Sequence, residues 1–122
     1  MADKLLVVIV NTDPESGPEL AEPLTQATAA ASMEYDVEVI LGGRAGRLAQ
    51  RGFAEGVPLR EGGPRTVRDL LREGHAAGVV FKVAAAVAEG LGDDLIGEIN
   101  ERVGSAYIVS EAMDDNTVTF TY

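Results

Sequence analysis

Leu5-Leu-Val-Val-Ile-Val10 is apolar at every position and rich in β-branched side chains. A strand with one wet face alternates between polar and apolar residues. A strand with no polar position has both faces covered, a condition met inside a parallel sheet. Asn11-Thr-Asp-Pro-Glu-Ser-Gly-Pro18 follows and consists largely of turn formers, so it reads as a loop at the carboxyl end of that strand. Working outward, Leu20, Leu24, Ala27 and Ala31 recur at helical spacing and predict an amphipathic helix ending near Met33, with Pro23 in its first turn. Val37 to Leu41 is a second apolar run. Gly42-Gly43 then turns the chain into a short helix over Arg44 to Arg51.

Residues 53–64 carry three glycines and two prolines without a period and are expected to form an exposed loop. Thr66-Val-Arg-Asp69 is a capping box opening a helix with Val67, Leu70 and Leu71 on its buried stripe, and Gly74 is expected to end it. Val79 to Val83 is a third strand, followed by a short alanine-rich turn of helix from Ala84 to Gly90. Asp93 is expected to cap a short helix carrying Leu95, Ile96 and Ile99. Arg102 to Gly104 reads either as a brief strand or as more of that helix. Ser105 is expected to cap a helix through about Asp114. The strict alternation of Thr117-Val-Thr-Phe-Thr-Tyr122 predicts a half-exposed edge strand with Val118, Phe120 and Tyr122 on one side.

Strands alternating with helices give a parallel sheet with helices on both faces, and no repeat or linker divides the 122 residues. In such sheets ligands bind outside the carboxyl ends of the strands. Three loops should meet there, beginning at Asn11, Gly42 and Ala84. The expected crevice residues are Asn11, Thr12, Gly42, Gly43, Arg44, Lys82 and Ala84.

Ten Lys and Arg stand against twenty Asp and Glu, a net charge of −10. Such a surface repels phosphate backbones and anionic bilayers, so neither nucleic acid nor a membrane is an expected partner. The first apolar run is only six residues long, too short for a signal peptide or a span, and the expected location is the cytoplasm. There is no cysteine. That removes disulfides, thiolate metal sites and thiol nucleophiles together.

The order of segments is familiar across essentially the whole chain. The apolar strand leads to Asn11-Thr-Asp-Pro14, then to Ala21-Glu-Pro-Leu-Thr-Gln-Ala-Thr-Ala-Ala-Ala-Ser-Met33 and Tyr35-Asp-Val-Glu-Val39. Glu61-Gly-Gly63, His75-Ala-Ala-Gly-Val79, Asp93-Asp-Leu-Ile96, Val103-Gly-Ser-Ala-Tyr107 and Asp114-Asp-Asn-Thr-Val-Thr-Phe120 complete the pattern. This resembles the DsrE/DsrF-like family of sulfur-oxidation and sulfur-relay proteins. The resemblance implies a single three-layer α/β/α domain over residues 1–122, with a five-stranded, mostly parallel sheet. It further implies assembly as a trimer or hexamer, or with related DsrE-like subunits, and contact with a sulfur-carrier protein. In that family a cysteine just after the third strand holds the persulfide. Here the strand is Gly78-Val-Val-Phe-Lys-Val83 and the matching position is Ala84. Sulfane-sulfur transfer needs a polarisable thiolate that attacks and leaves near neutral pH, and a methyl group does neither.

What the resemblance leaves is a non-catalytic subunit or binding protein associated with intracellular sulfur trafficking, with no cofactor, no metal and no catalytic residue. Two other readings stay open. One is a small-anion or nucleotide-binding module, with backbone N–H groups at Gly42-Gly-Arg-Ala-Gly46 and the charge of Arg44 or Arg47 holding the ligand. The other is an enzyme using Lys82, a buried lysine, or His75, the one histidine. Beside these stand plainer readings: a strand-to-helix turn for the glycines, a surface or helix-end role for His75, and a Lys82 whose ammonium pairs with a carboxylate or emerges at the crevice or an oligomer interface. Asp93-Asp94 and Asp114-Asp115 read as helix-end and turn residues rather than paired acids. Met33, Tyr35 and Phe53 read as core or subunit contacts.

Overall fold

The computed structural model describes residues 2–122. Its five strands are β1 (Lys4–Ile9), β2 (Asp36–Leu41), β3 (Val80–Ala84), β4 (Ile99–Val103) and β5 (Thr117–Thr121). All neighbouring strands run parallel, in the order β4-β3-β2-β1-β5. The helices are α1 (Gly17–Ser32), α2 (Val67–Ala77), α3 (Ala85–Leu91) and α4 (Ser105–Ala112), and two 3-10 segments cover Gly43–Ala49 and Ala54–Gly56.

Strand alternation divides the core in two. Val7, Ile9, Val37, Val39, Leu41, Phe81 and Val83 point to one side, where α1, α2, α3 and the first 3-10 segment cover them. Leu6, Val8, Ile40 and Val103 point to the other side and meet Val10 together with Tyr107, Ile108 and Ala112 of α4. The first layer is thick and apolar. The second is one short helix with no buried residue of its own, so something other than area must hold it down. No helix of the described residues is long and apolar enough to cross a membrane.

Several local expectations need correction. Helix α1 begins at Gly17, where the Ser16 hydroxyl accepts the Glu19 N–H at 3.4 Å and Pro18 occupies the first turn. Pro23 therefore lies inside the helix and not in its opening turn. It is buried beside Leu20 and Leu24, where apolar contact offsets one missing backbone donor. Helix α2 does not stop at Gly74 but runs on to Ala77, and Gly78 closes it in the left-handed region at φ 109°. Gly74 is there for closeness. A Cβ at that position would lie 3.1 Å from Phe81 Cζ and 3.2 Å from Thr28 Oγ1, where α1, α2 and β3 converge.

Residues 53–64 are less exposed than expected, because Ala54 and Val57 are buried in the main core. No helix forms around Leu95, Ile96 and Ile99. Ile96 enters the core, Leu95 bridges to Gln50, and Ile99 opens β4. A short apolar cluster of that spacing fits one helical turn as well as a connection pinned by tertiary pairing, and pairing decided. The last helix has Gly104, not Ser105, at its cap and ends at Ala112. On β5, Val118 and Phe120 share the α1 side of the sheet with Leu5 and Val7 and remain half-exposed.

Candidate functional site

The carboxyl ends of β1, β2 and β3 come together as tightly as the glycines permit. A Cβ on Gly42 would sit 3.2 Å from Val10 Cγ1 and 3.4 Å from Ala84 Cβ. Gly43 has φ +50°, and a Cβ there would lie 2.7 Å from the Val10 carbonyl oxygen. Gly43 is thus required by its backbone conformation and its approach to the Val10 carbonyl, while a side chain at Gly42 would need Val10 or Ala84 to give by a few tenths of an ångström. Ala84 closes β3 in the sheet interior and occupies the cap position of α3, half-buried, with its methyl toward Gly42.

An open hollow of about 420 Å³ lies at the β1 and β5 end of this edge, lined by Asn11, Thr12, Asp13, Glu19, Arg44 and Tyr122. Of the seven expected crevice residues, Asn11, Thr12 and Arg44 line this hollow together with Asp13 and Glu19, while Gly42, Gly43, Lys82 and Ala84 are not in its lining. The Arg44 guanidinium lies 3.8 Å from Asp13. One cation against two carboxylates does not make an anion cradle, so the charge of the hollow counts against the anion reading at this end of the sheet.

Lys82 is not in that hollow. Its side chain leaves the sheet on the α4 side, 7% exposed, and enters a cluster that the sequence did not suggest. Lys82 Nζ lies 3.0 Å from Glu38 Oε1 and 2.8 Å from Glu101 Oε1, and donates to the Tyr107 hydroxyl at 2.7 Å. Tyr107 donates in turn to Glu38 Oε1 at 2.7 Å. Lys4 pairs with both Glu38 and Glu111. Burial alone would lower the Lys82 pKa, but its bonds to Glu101, Tyr107 and Glu38 outweigh burial and raise it. Lys82 is held as an ammonium, the wrong protonation state for a nucleophile. The cluster instead supplies what α4 lacks in apolar contact, tying Tyr107 and Glu111 of that helix to charges on β1, β2, β3 and β4.

Glu38 is the hub. Burial would raise its carboxyl pKa, but Lys4, Tyr107 and Lys82 outweigh that and lower it. A carboxylate whose folded pKa lies below its unfolded value stabilises the fold above the unfolded pKa. That contribution disappears as pH falls through the folded one. The expected result is a urea midpoint that falls from about pH 5 downward. The Glu38→Gln variant should be less stable than the parent at neutral pH and converge toward it in acid. Parallel curves at all pH values would contradict the assignment.

The remaining candidates scatter. His75 is exposed in the last turn of α2 and shares a hollow with Gly97 and Glu98 at the amino ends of β3 and β4, far along the strands from Ala84. Asp94 lies in the turn before β4, where its carbonyl accepts the Arg51 N–H. Asp93 lies 3.6 Å from Arg102. Asp114 Oδ1 accepts the Asn116 N–H at 2.8 Å, as a turn residue does. No group of three His, Cys, Asp or Glu among the described residues is arranged to hold a metal ion. Phe53 is separate from Met33 and Tyr35 and lies under the Arg47 guanidinium at 4.5 Å. Met33 and Tyr35 instead border an apolar groove with Val118 and Phe120, between α1 and the β5 edge.

Lys4, Glu38, Glu101, Tyr107 and Glu111 escaped the reading of the sequence. A signal was available. Glu38 stands alone between Val37 and Val39, and Lys82 between Phe81 and Val83. A single charge inside each of two apolar strands demands a partner, and opposite signs supply one.

No family model matches the chain, and no curated protein does. Among solved structures, the crystal structure of the ychN protein from E. coli superposes with a TM-score of 0.71 at 21% sequence identity, covering 98% of this chain and 100% of that one. At this identity the likeness establishes the fold: a five-stranded parallel α/β sheet with helices on both sides, shared from end to end.

Proposed function

We propose that the protein is a non-catalytic DsrE-like subunit or binding protein of intracellular sulfur trafficking, which occupies the place of a sulfur carrier without holding sulfur covalently. The observation that carries this reading is Ala84. It stands at the carboxyl end of an interior strand and at the start of a helix, where the resemblance puts the persulfide-bearing cysteine. The end-to-end likeness to the ychN protein supports the same scaffold. With no cysteine anywhere in the chain, cysteine-dependent sulfur transfer has no nucleophile.

The partners of such a subunit are further copies, related DsrE-like chains or a sulfur-carrier protein. Exposed Met33, Tyr35, Val118 and Phe120 support an assembling surface, because four large apolar groups around one groove are more than a lone subunit needs. Size-exclusion chromatography with light scattering is expected to give a trimer or hexamer at micromolar concentration. A persistent monomer, alone and mixed with sister subunits, would overturn the assembly reading.

A further inference from the structure

A second hollow, of about 340 Å³, lies along the flank of α2 and shares no residue with the carboxyl-end crevice. Arg51, Arg68 and Arg72 line it, with Glu55 at the rim and Gly97 in the wall. Three of the ten cations of a chain carrying −10 thus converge on one depression. Arg68 and Arg72 are one turn apart on the same helix. Arg51 comes from the connection after the first 3-10 segment, where its Nε donates to the Leu95 carbonyl at 2.8 Å and fixes the side chain.

The charges are unevenly answered. Arg68 Nη2 bonds Glu98 Oε1 at 2.8 Å, while its Nε is 3.9 Å from Glu55. Arg51 and Arg72 have no ion-pair partner among the described residues, and Arg72 has no hydrogen-bond partner either. Arg68 is 9% exposed, and its Nη1 is buried without any acceptor. A buried guanidinium nitrogen with no acceptor is rare, because the desolvated donor keeps its full cost. Three guanidiniums against Glu55 and Glu98 leave one positive charge unanswered, in a concave site where the Arg72 donors are unpaired.

We propose that this hollow binds a phosphate group, as free phosphate or as the terminus of a phosphomonoester, between Arg72 and Arg51. An oxyanion seated there meets the unpaired guanidinium of Arg72 and the Nη groups of Arg51, with the charge of Arg68 beside them. Planar guanidinium forks are suited to phosphate oxygens. Glu55, half-exposed and free to swing outward, is the competing carboxylate that tunes affinity.

The test is calorimetric titration of the full chain with inorganic phosphate, and separately with glycerol phosphate, at ionic strength held constant with chloride. Saturable binding of at least one is expected, and the tighter of the two identifies the source. Arg72→Gln is exposed and should fold normally, which its thermal midpoint checks. It is expected to weaken binding about tenfold. Glu55→Gln should strengthen binding by removing the competitor, and Arg44→Gln, in the other hollow, should change nothing. Absence of binding to the parent chain, equal heats from chloride, or loss of binding in Arg44→Gln but not in Arg72→Gln would overturn the proposal. None of these outcomes bears on the sulfur reading.

Discussion

Ala84→Cys is expected to convert a chain that takes up no sulfane sulfur into one that carries a persulfide on each protomer. The position is half-buried at the end of β3 and is followed directly by α3, so the new thiol would sit among the first free N–H groups of a helix. Such a setting lowers a cysteine pKa below its ordinary value of about 8.5 and raises the thiolate fraction at neutral pH. Offered inorganic polysulfide, the thiolate attacks a sulfur atom of the chain, and the shortened polysulfide leaves. The steric demand is modest. The methyl it replaces is half-buried and faces Gly42, and a cysteine adds only one atom. Thiol titration of the folded variant separates the two ways of failing. A titratable thiol that never gains sulfur would mean the crevice is not a sulfur site. A buried, untitratable thiol would mean that Ala84 is misplaced in the account.

Lys82→Ala should produce the largest loss of stability from a single polar side chain. The substitution leaves Glu38, 7% exposed, with Lys4 and Tyr107 as its only partners, and strands Glu101. Removing one member of a buried ion pair costs about 3–5 kcal/mol, and the surviving Lys4 contact places this case at about 3. Lost packing of the lysine stem against the Tyr107 ring, 4.5 Å from Nζ, acts in the same direction. Urea unfolding followed by far-UV circular dichroism is the measure. The double variant Lys82→Met, Glu38→Leu is expected to lose less than its two single variants added together, because it buries no orphaned charge. A Lys82→Ala protein as stable as the parent would show that the cluster does not hold α4.

The contrast between these two positions shows which parts of the molecule could be read in advance. Strands β1, β2 and β3 announce themselves as apolar runs because both their faces are covered. The β5 alternation is equally plain because that edge has one wet side. Strand β4 was nearly illegible. Ile99-Asn-Glu-Arg-Val103 lies at the other edge of the sheet, where burial is incomplete and pairing rather than hydrophobicity maintains the strand. Ala84 was placed because it follows β3 directly, a matter of chain order. Lys82 was misplaced because order along a strand says how far a residue lies toward the crevice but not which face it leaves. That depends on register, and its partners come from β2, β4 and α4, up to 44 residues away at Glu38. The glycines at 42 and 43 carried two readings, and the proximity of Val10 and Ala84 selects the packing one.

The central claim is that this scaffold works beside sulfur without bonding to it. Intact-mass spectrometry of the unmodified protein after incubation with isotopically labelled polysulfide tests that claim most directly. The account predicts an unchanged mass for the parent chain under conditions in which Ala84→Cys gains sulfur. A labelled covalent adduct on the cysteine-free parent, released again by a thiol acceptor, would contradict it.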